Sequence, residues 1–145
     1  MNQIFPYANI FVGILVFIVG FVFHWAGQLI SIINWDYATK IGLQEKGQPK
    51  EFKVYEHAIA KADVFLGWIY GVAGVLVMLD IRWGYQILWF PGAVLIYHAI
   101  SFWYWTANQQ RIGFNIVRPT FRVIWTLTNL ISGLLAVLVA WHAGN

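Results

Sequence analysis

The chain groups its apolar residues into long runs separated by short polar connections, with no residue-by-residue alternation. Four runs reach the length of a membrane-spanning helix: roughly Ala8 to Ile33, Ala62 to Leu79, Tyr85 to Thr106 and Phe121 to Trp141. Such a helix needs about 20 residues at a rise of about 1.5 Å each. The second run is the shortest. The stretch EFKVYEHAIAKAD, Glu51 to Asp63, extends it backwards as helix, because it contains no breaker and Pro49 just before it suits a helix entry. Pro91 predicts a kink in the third run, tolerable where neighbouring helices satisfy the carbonyl it frees. Barrel strands would alternate apolar and polar residues over about ten positions, and these runs do not. The first run resembles a signal-peptide core, but it lacks a preceding basic residue and a small-residue cleavage site, so it is read as an uncleaved span.

Composition agrees with this pattern. Hydrophobic residues make up 60% of the chain and charged residues 10%, with a mean hydropathy of +0.64. That is more apolar surface than a soluble domain of this length can bury, so the solvent is largely lipid. The absence of cysteine excludes disulfides, zinc-thiolate sites, iron-sulfur ligation and thiol catalysis.

Charge then predicts orientation. Lys40, Lys46, Lys50, Lys53 and Lys61 fall in the first connection and its helical extension, and Arg111, Arg118 and Arg122 in or beside the third; only Arg82 lies in the second. Basic connections stay on the cytoplasmic side, which puts both termini outside. The net charge of +3 is thereby assigned to lipid headgroups and insertion, with no nucleic-acid partner required. Tyr7, Trp83, Tyr85, Trp89 and Trp141 form an outer aromatic belt, and Trp35, Tyr37, Tyr55, Trp103, Tyr104 and Trp105 an inner one.

Each run has one small or polar face. The first carries Gly13, Gly20, His24, Gly27, Ser31 and Asn34; the second Ala60, Asp63, Gly67, Gly71 and Gly74, with Tyr70 beside them. The third carries His98, Ser101, Trp105 and Asn108, and the fourth Arg122, Thr126, Asn129, Gly133, Ala136 and Ala140. In lipid such faces pack together, because small residues let backbones approach and polar groups bond across the interface. The prediction is an all-α integral membrane protein: one domain over residues 1–145, four transmembrane helices in an up-down-up-down bundle, both termini non-cytoplasmic, and a cytoplasmic loop with helical extension over residues 34–61. The membrane expected is a bacterial or archaeal cytoplasmic membrane.

Depth selects the chemistry. His24, His98 and Asn129 each lie about nine residues from the predicted inner boundary, or roughly 13 Å, near the middle of a hydrocarbon layer about 30 Å thick. Read as packing alone, a neutral imidazole donates to a carbonyl or serine and an asparagine locks two helices. Read functionally, ionisable groups at that depth mark a site. Asp63 is placed near the inner interface, where it would pair with Arg122, Lys61 or a protonated histidine; an ionised carboxylate at the centre would cost about 3 kcal/mol. Glu56 shares its face and would flank the mouth of a polar cavity. The chain contains no HExxH, no Glu-x-x-His repeat, no phosphate-binding glycine loop and no Gly-x-Ser-x-Gly turn, so no metal-ligand or catalytic set is predicted from spacing.

Four functions fit these residues. The leading one is a subunit of a larger or oligomeric membrane complex, its partners the lipid bilayer and other membrane subunits or copies of itself, with a polar intramembrane site. The second is a redox anchor in which His24 and His98, on diagonal helices, bind a b-type haem or a quinone with Ser101 or Asn129 orienting the rings. The third is an oligomeric proton-coupled transporter or channel subunit, with His98, Asp63 and His24 as a proton relay or polar path and Ser101, Asn129 and Arg122 along it. The fourth is a membrane enzyme acting on a lipophilic substrate. The chain resembles no family in its motifs.

Overall fold

The computed structural model of the protein describes residues 4–44, 46–47, 50–115 and 117–144. Every regular element among them is helical. Four helices are long and apolar enough to cross a membrane: α1 (Ala8–Ile33), α3 (Lys50–Met78), α4 (Arg82–Arg111) and α5 (Pro119–Gly144). A short helix, α2 (Trp35–Lys40), follows α1. The predicted helix entry at Pro49 lies outside the described residues.

Local chemistry sets the ends. Asn34 is extended and accepts a hydrogen bond from the Tyr37 backbone N–H through its side chain, so one residue stops α1 and caps α2. Gly113 takes φ +90° just past α4, and the Phe114 N–H closes back on the Gln109 carbonyl at 2.9 Å. That left-handed stop is open to glycine without a Cβ clash. The regular geometry of α4 is interrupted at Leu88, between Ile87 and Trp89. Pro91 accounts for the interruption, because its missing N–H and its ring both act on the carbonyl four residues earlier, that of Ile87.

Two antiparallel pairings build the core. Along α1 and α3, Phe21 and Trp25 drop their rings onto Gly71 and Gly67, while Gly74 lies against the Gly13 carbonyl and the Phe17 Cβ; a Cβ added at Gly71 would lie 2.7 Å from Phe21 Cδ2. The rings also meet one another, Phe17 tilted against Phe21 at 5.1 Å and Phe21 stacked on Trp25 at 4.7 Å. Gly67 and Gly71 are therefore holes for aromatic knobs, and Gly13 and Gly74 let the two backbones come close, as small residues do in an apolar solvent. Along α4 and α5, Gly92 and Gly133 face each other, each leaving room for the other's carbonyl. These contacts assign to the interior the glycine stripes whose partners sequence periodicity leaves open.

One feature of α1 has no counterpart in the sequence reading. From Val16 to Ala26 the helix is wound as a π-helix, and this segment carries both the aromatic ladder and His24. π segments occur mostly as short bulges and are frequent at functional sites.

Candidate functional site

His24 leaves the wide π segment of α1 and is buried. Its Nε2 is 2.6 Å from Asn129 Oδ1 on α5. The Asn129 amide is itself oriented, because its Nδ2 donates to the Trp125 carbonyl at 2.9 Å. Its oxygen therefore faces the histidine, and His24 Nε2 is the donor. In a neutral imidazole this leaves Nδ1 with the free lone pair.

His98 on α4 stacks its ring on that of His24, with centroids 4.4 Å apart and planes 26° apart. Its Nε2 lies 3.6 Å from Asp63 Oδ1 on α3. Asp63 is held in place through its neighbour: Trp25 Nε1 donates to the Val64 carbonyl at 3.0 Å, anchoring α3 on α1 one residue away. Tyr70, two turns along α3, is buried over Gly20, its ring 6.3 Å from that of His24. Two polar atoms at this point are buried without a hydrogen-bond partner, Asp63 Oδ2 and the Tyr70 hydroxyl.

All four long helices thus contribute to one cluster: His24, Asp63, His98 and Asn129. The cluster is not sealed, since the His98 and Asp63 side chains keep 15% and 16% exposure. The backbones of α3 and α4 pack most closely where Gly84 rests on Leu76 and Val77.

The remaining sequence candidates sit elsewhere. Ser101 Oγ donates at 3.3 Å to the backbone carbonyl of His98. Arg122 does not join Asp63. Its guanidinium lies over the Trp103 ring at 3.9 Å, donating to the Trp103 carbonyl at 2.9 Å and to Gln110 Oε1 at 3.1 Å. Cation–π attraction and the guanidinium's planar fork favour that seat over a more distant carboxylate.

A haem held between the two histidines does not fit this arrangement. Axial imidazoles point their nitrogens at iron from opposite sides of the macrocycle, whereas here the ring faces oppose at 4.4 Å with no space for a macrocycle between them. Asp63 meets a histidine, one of its three expected partners, in His98 at 3.6 Å; its depth is what hydropathy misplaced, since the uninterrupted helical pattern back to Glu51 puts Asp63 inside a long helix, well away from its end.

No protein family model, curated protein or solved structure matches the chain.

Proposed function

We propose that this chain is a small polytopic membrane protein, a subunit of a larger or oligomeric membrane complex, whose own contribution is a ligand site at His24, Asp63, His98 and Asn129. The proposed arrangement is an up-down-up-down bundle in a bacterial or archaeal cytoplasmic membrane. Both termini are non-cytoplasmic and the basic connections cytoplasmic, in keeping with the distribution of lysine and arginine.

The observation that carries the reading is the pair of buried, unpartnered polar atoms beside two stacked histidines, Asp63 Oδ2 and the Tyr70 hydroxyl. A polar cluster serving only to pack helices gains by satisfying its members, because each unpaired buried group costs about 1–3 kcal/mol. Groups held convergent and unsatisfied are the pattern of a site that a ligand completes.

Native mass spectrometry of the complex released from membranes tests this. Wild-type protein should carry bound mass beyond its subunits and lipid, and His98→Gln should keep the same assembly while losing that mass. An assembly that disperses in His98→Gln, from a wild type that carries no such mass, would make the cluster a packing device.

A further inference from the structure

We infer that His24, Asp63 and His98 bind one divalent first-row transition-metal ion; the inference rests on the reading of this cluster as a ligand site and names the ligand. Each of the three offers one ligand atom, and these atoms all lie within 4.8 Å of one another. With metal–ligand bonds of about 2.0–2.2 Å, ligand atoms around a tetrahedral ion stand roughly 3.4 Å apart. The separation of His98 Nε2 from Asp63 Oδ1, 3.6 Å, is close to that edge and longer than the 2.7–3.2 Å or so of a hydrogen bond. The pair is spaced as two ligands of one ion, with small side-chain adjustments closing the rest of the set.

The surroundings fit the same occupant. Asn129 accepts from His24 Nε2, so the nitrogen left for the metal is Nδ1 and the ring is oriented by an outer hydrogen bond. That is the usual support of a ligating histidine. Two imidazoles and one carboxylate form a borderline donor set: magnesium and calcium call for oxygen ligands, and cuprous ion for thiolate or thioether. The ion's charge also compensates a carboxylate otherwise expensive to keep in apolar surroundings. Three protein ligands leave at least one position open. Asp63 Oδ2 and the Tyr70 hydroxyl, both unpartnered, are the neighbouring groups available to it. The partial exposure of the His98 and Asp63 side chains leaves the set accessible from the surface.

The test is titration of the full chain, purified in lipid nanodiscs and stripped with a chelator, by cobaltous ion followed optically. The expected result is saturable binding at one ion per chain with visible d–d bands, displaced by zinc. Binding is lost in His24→Gln, Asp63→Asn and His98→Gln, weakened about 10–100-fold in Asn129→Ala, and unchanged in His57→Gln and His142→Gln. His98→Cys guards against variants that fail to fold. The chain has no cysteine of its own, so retained cobalt binding with a new near-ultraviolet thiolate charge-transfer band places the metal on residue 98. Absence of one-to-one binding, binding indifferent to Asp63→Asn and His98→Gln, or a His98→Cys variant that binds cobalt without the thiolate band would overturn the inference. If cobalt fails while another native ligand is lost in His98→Gln, the metal falls and the ligand site stands; if neither binds, both fall.

Discussion

Asn129 and His24 are joined across α5 and α1 by a hydrogen bond of 2.6 Å, and the asparagine is fully buried. Since its other arm is committed to the Trp125 carbonyl, Asn129 fixes both the position of His24 and which ring nitrogen carries the proton. Asn129→Ala leaves the His24 N–H buried without a partner. The expected loss is about 1–3 kcal/mol of stability, measured by denaturant unfolding in mild detergent.

The aromatic ladder of α1 requires glycine opposite it. Gly71→Leu places a Cβ 2.7 Å from Phe21 Cδ2 and the rest of the side chain deeper still. Overpacking should cost at least about 1–3 kcal/mol and separate α1 from α3, read as increased hydrogen exchange along both helices. Gly144→Ala, at a position with nothing within 4 Å, should leave stability unchanged.

Trp25 anchors the backbone beside Asp63. Trp25→Phe keeps a ring to stack on Phe21 but deletes the donor to the Val64 carbonyl. The loss should be about 0.5–1.5 kcal/mol. Weaker cobalt binding should accompany it, because the carboxylate ligand loses its positional restraint.

At the opposite end of α3, Tyr85 donates to Asp80 Oδ1 at 2.6 Å. That hydrogen bond is the chief reason the Asp80 carboxyl lies below its ordinary value. A carboxylate with a depressed folded value contributes stability that is fully present above its unfolded value of about 3.9, and loses it as pH falls through the folded value. Stability should therefore decline below about pH 4. In Tyr85→Phe that part of the acid sensitivity should be smaller, as followed by unfolding midpoints between neutral and acid pH.

The spans and the central polar groups were legible because each is a local property. Apolar runs longer than a helical crossing mark α1, α3, α4 and α5, and counting inward from their polar ends sets His24, His98 and Asn129 at one depth. The structure brings those three side chains together. Asp63 escaped the same count because hydropathy begins the second span at Ala62, whereas the helix itself begins at Lys50 and is continuous through Asp63. Charge alone leaves Arg122, Lys61 and a protonated histidine as equal partners for Asp63. The contact of Arg122 with Trp103 across α4 and α5 depends on the relative rotation of two helices, which periodicity within either one does not specify. The π winding of Val16–Ala26 was hidden for a related reason. It changes how α1 meets the glycines of α3 without changing which residues are apolar.

The most direct test of the central claim is the unfolding of chelator-stripped protein with and without zinc, in wild type and in His98→Gln. A ligand that binds the folded state alone at 100 times its dissociation constant adds about 2.7 kcal/mol. Wild type should gain stability on that scale, and His98→Gln should gain none while remaining folded. Equal gains in both proteins, or none in either, would contradict a metal site at His24, Asp63 and His98.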